Sequence, residues 1–214
     1  VGSDGITLLA NSSGFVVNSP YASPFGELHA GAVTWLSNAG VTAEGHDIKT
    51  GAVTYDESNS LVGRYAGDLV GSGGVVALQN ANGAYVVNSP NWTGKDHATV
   101  NPPGAFTWLR PLGSSVNGLH ITTGVSGLVS ISNSLVNDKP TTIFDSVPPS
   151  VVALTNGNYV VSLPLWNNGR GAVTWGNGNT GTTGIISSQS QPMVCRKTSS
   201  VMSRSPSCGM LLSS

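Results

Sequence analysis

The sequence predicts an all-β fold of three repeats, arranged as three four-stranded antiparallel blades of a partial or small β-propeller-like array. The same short motifs recur in the same order along the chain. The composition combines 28 Gly and 12 Pro with 9% charged and 39% hydrophobic residues, which is typical of short strands joined by turns around a core. No segment shows the periodicity of an amphipathic helix. A three-sided β-prism is the alternative arrangement.

Two motifs occur three times and define the repeat. The first is Val-Val-x-x-Pro, which ends at Pro20, Pro90 and Pro164. The second is Gly-Ala-x-Thr-Trp, which ends at Trp35, Trp108 and Trp175. Because both motifs keep their order and near-constant spacing, each copy is expected to be one structural unit that buries its faces against its neighbours.

The motifs divide the chain into three units and a tail. The divisions are unit 1 (1–69), unit 2 (70–146), an incomplete unit 3 (147–190) and an irregular non-repeat tail (191–214). The start matches a junction between units, so we expect further sequence before it. The tail lacks the Asn-Ser-Leu-Val motif of units 1 and 2 and holds both cysteines and all three methionines. We interpret it as either a native cap or the frame-shifted end of a longer repeat gene.

Each unit is predicted to contain four short strands. In unit 2 they are 75–78, 84–88, 105–109 and 127–132; in unit 3 they are 151–154, 158–162, 172–175 and 184–187. Asn/Gly segments supply the tight turn after the first strand, because Asn and Gly tolerate positive φ. Proline ends the second strand, because it cannot donate to a sheet. The loop after that proline varies in length between units, which is typical of a surface loop.

Aromatic residues supply the candidate binding positions. Tyr21, Trp92 and Trp166 lie just after the strand-two proline, where exposed rings could stack on sugars or anchor a protein partner. The alternative is that each ring folds back to cover its own blade. The motif tryptophans Trp35, Trp108 and Trp175 end strand three and are expected to pack between blades, with a ligand platform as the alternative.

Several other classes of function have little support in the sequence. A formal net charge of −1 with scattered Lys and Arg argues against nucleic acid as a partner. No apolar run is long enough for a membrane span. The four histidines, His29, His46, His97 and His120, lack metal-ligand spacing, so we predict no metal and no cofactor. No nucleophile elbow is present, and we predict that the protein is not an enzyme. The glutamates, which a glycosidase would need in a facing pair, are Glu27, Glu44 and Glu57.

The ordered motifs, including Ala66-Gly67-Asp68, resemble repeats of bacterial filamentous-haemagglutinin-like surface proteins and, more distantly, the FG-GAP repeats of integrin α-chain propellers. The resemblance implies a propeller-like fold and an adhesive surface role. It also implies that Asp68 caps backbone amides. The loops at 11–14, 80–83 and 156–158 depart from the FG-GAP pattern, because they lack the carboxylates that calcium prefers.

These observations predict an adhesion or binding module of a secreted or bacterial cell-surface repeat protein. Its partners would be a carbohydrate or a host or cell-surface protein, bound through the variable loops. A non-binding architectural spacer of a large surface protein is the alternative, and a glycan hydrolase domain is the second alternative. An incomplete array would also leave open sheet edges, through which copies could self-associate.

Overall fold

The computed structural model describes residues 2–12, 14–42, 55, 57–80, 82–94, 102–111, 127–137 and 148–187. The strands are β1 Ile6–Leu8, β2 Phe15–Ser19, β3 Ala32–Leu36, β4 Leu61–Val62, β5 Val75–Ala77, β6 Tyr85–Ser89, β7 Ala105–Leu109, β8 Gly127–Leu128, β9 Ser134–Asn137, β10 Ser150–Ala153, β11 Tyr159–Leu163, β12 Ala172–Gly176 and β13 Gly184–Ile186. Single helical turns lie at Ala10–Ser12, Pro24–Gly26 and Trp166–Gly169. No described helix is long and apolar enough to cross a membrane.

The strands form three sheets, one for each repeat. Their strand orders are β1-β2-β3-β4-β8, β5-β6-β7-β9-β13 and β10-β11-β12. Within each unit the first three strands form an antiparallel meander, in which each strand pairs with the next one along the chain. The predicted all-β class and the three repeats are therefore confirmed.

The predicted fourth strand belongs to the sheet of the preceding unit. Strand β8 of unit 2 pairs in parallel with β4 of unit 1, with Gly127 opposite Leu61. Strand β13 of unit 3 pairs in the same way with β9 of unit 2, with Gly184 opposite Leu135. The Asn-Ser-Leu-Val motif, which was not predicted as a strand, forms β4 and β9. The first two sheets thus hold five strands, and each includes one parallel pair.

Alternation along the strands gives each sheet two apolar faces. The forward face, which looks toward the next unit, carries Val16, Val33 and Leu61 in unit 1 and Val86, Phe106, Trp108 and Leu135 in unit 2. The rear face carries Tyr85, Val87 and Leu109 in unit 2 and Tyr159, Val161 and Leu163 in unit 3. The sheet of unit 2 carries apolar side chains on both faces, as expected for a sheet that is covered on both sides.

Two hydrophobic cores hold the sheets together. The first joins the forward face of unit 1 to the rear face of unit 2, and the second joins the forward face of unit 2 to the rear face of unit 3. The first strands of neighbouring units also lie side by side, β5 next to β1 and next to β10. The sheets therefore stack in a row, each against the next. A prism would instead enclose one shared core.

The motif tryptophans follow this stacking. Trp108 is buried in the second core with 3% of its surface exposed, and its indole Nε1 donates to the Gly178 carbonyl of unit 3 at 3.1 Å. Trp35 packs partly buried against the first core. Trp175 is 53% exposed, because no further sheet among the described residues covers its face. Packing between blades is therefore confirmed for Trp35 and Trp108, and the prediction is wrong for Trp175.

Asparagine side chains link the stacked units through hydrogen bonds to backbone carbonyls. Asn11 Nδ2 donates to the carbonyl of Asn80 in unit 2 at 2.9 Å, and Asn80 Nδ2 donates to the carbonyl of Gly178 in unit 3 at 2.6 Å. Asn88 Nδ2 likewise donates to the Pro149 carbonyl at 3.0 Å. These amides satisfy backbone carbonyls at the unit junctions, where an unpaired buried acceptor would be costly.

Candidate functional site

Two of the three candidate binding aromatics are buried. Trp92 is 4% exposed in the first core, and Trp166 is 1% exposed in the second. The expectation that these rings are partly exposed is wrong, and the alternative interpretation, that they fold back, is confirmed. The physical reason is that each ring fills the space beside a rear face where two sheets meet. In unit 1 the equivalent position is Ala22.

Tyr21, the third candidate, is exposed on the loop between β2 and β3 of unit 1. Its ring makes a T-shaped contact with His29, with the ring centroids 5.6 Å apart. Phe25 and Leu28 on the same loop are also exposed. This loop, residues 20–31, is called the unit 1 loop below. Because three large apolar side chains project from one short loop, it differs from a surface with single scattered apolar residues.

The unit 1 loop is held in one shape by backbone hydrogen bonds to residues 63–70. The amides of Gly63, Gly67, Leu69 and Val70 donate to the carbonyls of Gly31, Leu28, His29 and Ala30, at 3.0–3.2 Å. Phe25 and His29 have positive φ, at 57° and 56°. Bulky residues seldom adopt this conformation unless the surrounding structure imposes it, and such positions are frequent in binding loops.

Asp68 fixes the segment that faces the loop. Its Oδ2 accepts hydrogen bonds from the amides of Arg64 and Tyr65, at 2.9 and 3.0 Å. Its Oδ1 accepts from the amide and the hydroxyl of Thr93 in unit 2, at 3.0 and 2.6 Å. The side chain is fully buried. The prediction that Asp68 caps backbone amides is confirmed, and one carboxylate ties residues 64–65 to the next unit.

A cleft with a volume of about 400 Å³ lies between the unit 1 loop and this segment. It is lined by Phe25, Glu27, Glu57, Arg64, Tyr65 and Leu128. The last of these belongs to β8, the strand that unit 2 contributes to the first sheet. The cleft is therefore lined by residues of two repeats, and its volume lies within the range of small-ligand sites.

The lining combines rings, carboxylates and a guanidinium. Phe25 and Tyr65 offer apolar ring surface, Glu27 and Glu57 accept hydrogen bonds, and Arg64 donates them. A group of this kind can hold a polyhydroxylated ligand, because its hydroxyl groups need both acceptors and donors while its ring face needs an apolar partner.

Sequence reasoning singled out part of this cleft. Glu27 and Glu57 were recognised as glutamates of unit 1, but nothing indicated that they line one cleft with Phe25, Arg64 and Leu128. The one signal was that all glutamates of the chain fall in unit 1. Glu44, His46, His97 and His120 lie outside the described residues. Within the described part of the chain, no three His, Cys, Asp or Glu side chains are grouped so that they could hold a metal ion.

Comparison with protein-family models gives one match, which covers most of the chain in three segments. The model is described as a repeat of unknown function (DUF5650), and it matches residues 9–72, 79–143 and 153–198. Each matched segment overlaps one of the three predicted units, and the third segment extends to residue 198, beyond the predicted end of unit 3 at residue 190. No curated protein and no solved structure matches the chain.

Proposed function

The chain belongs to the DUF5650 family of repeats of unknown function, and we propose that it is a binding module of a secreted or surface-exposed bacterial repeat protein. It acts without catalysis, and its ligand is a carbohydrate held in the unit 1 cleft. The observation that carries this proposal is the cleft itself, with two rings, two carboxylates and a guanidinium around about 400 Å³.

The charges of the cleft narrow the ligand class. Two carboxylates, Glu27 and Glu57, stand against one guanidinium, Arg64. An acidic sugar would meet a net negative lining, and its carboxylate would be repelled. We therefore propose a neutral oligosaccharide, whose hydroxyl groups donate to the glutamates and accept from the arginine.

The apolar side chains of the unit 1 loop support an extended contact. Phe25 belongs to both the loop and the cleft, and Tyr21 and Leu28 lie close to it in the chain. Rings on a rigid loop lose little conformational freedom on binding, so their contact area contributes to affinity at low entropic cost. An oligosaccharide longer than the cleft can extend over this loop.

A glycan array followed by calorimetry tests the proposal. We expect the full chain to bind neutral oligosaccharides and not their sialylated or uronic forms. Phe25→Ala and Arg64→Gln should each weaken binding by about tenfold or more, since truncation of a central contact typically has this effect. Ile131→Ala is the matched control, because Ile131 is an exposed apolar residue that does not line the cleft. If no glycan binds, or if the cleft variants bind like the parent, the architectural spacer becomes the better proposal.

A glycan hydrolase is the second candidate, because Glu27 and Glu57 line the same cleft. Retaining and inverting glycosidases both use a pair of carboxylates on either side of the scissile bond. The bound glycan from the array should be incubated with the protein and its reducing ends counted. Intact glycan after prolonged incubation supports pure binding. Release of products that stops in Glu27→Gln and in Glu57→Gln would establish the hydrolase instead.

A further inference from the structure

Unit 2 supplies a contact to the unit 1 cleft that lies behind its lining. Thr93, in the loop that follows β6, is 4% exposed and does not line the cleft. Its amide and its hydroxyl both donate to Oδ1 of Asp68, at 3.0 and 2.6 Å. The other oxygen of this carboxylate accepts from the amides of Arg64 and Tyr65, two residues that do line the cleft. Asp68 therefore connects Thr93 to the cleft wall.

The Thr93 hydroxyl fixes the orientation of this carboxylate. Asp68 is fully buried, so each of its oxygens needs donors from the protein, and hydrogen bonds to a charged acceptor are stronger than those between neutral groups. Because Oδ1 is held by two donors of Thr93, Oδ2 is held toward the amides of Arg64 and Tyr65. Removal of the hydroxyl leaves Oδ1 with one donor and weakens the hold on the cleft wall.

A second residue of unit 2 holds β8, the strand that carries Leu128 into the cleft lining. The amides of Gly127 and Val129 bond this strand to carbonyls of unit 1, at 2.9 and 3.1 Å. The carbonyl of Leu128 accepts instead from Asn133 Nδ2, at 2.8 Å. Asn133 Oδ1 also accepts from the amide of Ser130, at 2.9 Å, so one buried side chain closes the turn between β8 and β9. Asn133 does not line the cleft.

We propose that Thr93 and Asn133 are positioning residues, through which unit 2 sets the affinity of the cleft for its oligosaccharide. This inference rests on the proposed function. Thr93 positions Arg64 and Tyr65, and Asn133 positions Leu128, so neither positioning residue needs to touch the oligosaccharide. Three of the six lining residues are thus held from unit 2. A lining that is fixed before binding loses less conformational freedom when the oligosaccharide arrives, and removal of its support lowers the affinity.

Two variants of the full chain test the role of Thr93. Thr93→Val keeps the shape of the side chain and removes the hydroxyl, whereas Thr93→Ser keeps the hydroxyl. Hydrogen exchange followed by NMR should show the Arg64 and Tyr65 amides exchanging about tenfold faster in Thr93→Val and at the parent's rate in Thr93→Ser, because one hydrogen bond to a charged group has an effect of this size on local opening. Thr182→Val is the matched control, because the Thr182 hydroxyl accepts one hydrogen bond within unit 3, from the Asn177 amide at 2.9 Å, and does not line the cleft.

Asn133→Asp tests the second support. The aspartate keeps an acceptor for the Ser130 amide and places an oxygen against the Leu128 carbonyl in place of the donor. The Val129 amide, which bonds β8 to unit 1, should therefore exchange about tenfold faster than in the parent. Circular dichroism checks that the variant keeps the β fold. If the added charge disrupts the fold, Asn133→Ala removes the same donor without a charge and should accelerate the same amide.

Binding is measured by calorimetry with the neutral oligosaccharide that gives the strongest signal on the glycan array. Thr93→Val and Asn133→Asp should each raise its Kd by about tenfold, whereas Thr93→Ser and Thr182→Val should stay close to the parent. Three results would overturn the proposal: amides that exchange at the parent's rate in both variants, equal acceleration in Thr182→Val, or a Kd that neither variant changes. A parent that binds no glycan refutes the proposed function, and the exchange rates then decide by themselves whether unit 2 positions the cleft lining.

Discussion

Replacing Asp68 with asparagine perturbs the one buried carboxylate that joins the cleft wall to unit 2. The carboxylate accepts four hydrogen bonds, from the amides of Arg64, Tyr65 and Thr93 and from the Thr93 hydroxyl. Asparagine keeps one acceptor oxygen and places an NH₂ group where the other oxygen was. That group then faces two donors, so two of the four hydrogen bonds are lost.

The magnitude follows from the number of bonds and the burial. A hydrogen bond to a charged group contributes about 1.5–3 kcal/mol, so the loss of two bonds costs about 3–6 kcal/mol. Relief from burying a charge reduces this figure. We therefore expect Asp68→Asn to lower the free energy of unfolding by about 3 kcal/mol. If the asparagine oxygen faces Thr93, the hydrogen bonds to Arg64 and Tyr65 are lost; if it faces Arg64 and Tyr65, the hydrogen bonds to Thr93 are lost.

Urea unfolding, followed by tryptophan fluorescence, measures this change. Asp4→Asn is the control, because Asp4 is exposed and accepts a single side-chain hydrogen bond, from Asn18 at 2.8 Å. It should change the free energy of unfolding by less than about 1 kcal/mol. A double-mutant cycle with Thr93→Val should give a coupling energy of about 1–2 kcal/mol. A loss below about 1 kcal/mol for Asp68→Asn, or zero coupling to Thr93, would refute the reasoning.

Two further predictions concern the cores. Trp108→Ala should lower the free energy of unfolding by about 3–5 kcal/mol in a urea titration, whereas Trp175→Ala should change it by less than about 1 kcal/mol, because only the first ring is buried; equal losses would contradict the stacking order. Burial raises the pKa of Tyr159 to about 12, above its ordinary value of 10.0. Because the unfolded chain releases this proton first, the contribution of Tyr159 to stability should be constant below about pH 10 and fall as the pH rises toward 12. The urea midpoint measured between pH 9 and 11 should fall less steeply in Tyr159→Phe, and identical slopes would count against a buried, neutral Tyr159.

The repeat motifs allowed much of the fold to be predicted. The second and third strands of units 2 and 3 lie within about a residue of their predicted bounds, because alternating apolar residues and a terminal proline mark them clearly. The exchange of β8 and β13 could not be predicted. Alternation shows which face of a strand is buried, but it does not show which neighbour the strand pairs with.

Burial of the loop tryptophans escaped prediction for a similar reason. Trp92 and Trp166 follow a proline in loops of variable length, and such a position is usually exposed. Their burial depends on the sheet of the preceding unit, which local sequence does not describe. The cleft was missed because Phe25, Arg64 and Leu128 are distant in the chain, and Leu128 reaches the cleft only when β8 joins the first sheet.

Strands β8 and β13 each pair with a strand of the preceding unit, and this has a consequence for how such arrays can change in length. The first two sheets are each completed by a strand of the next unit, and both of these strands begin with a glycine opposite the leucine of an Asn-Ser-Leu-Val motif. Removal of one internal repeat by recombination would therefore bring an equivalent strand to the same place. A gene encoding these repeats can gain or lose whole copies without leaving an internal sheet incomplete. A fragment cut at residue 69, by contrast, would leave β4 paired with β3 but without its parallel partner β8.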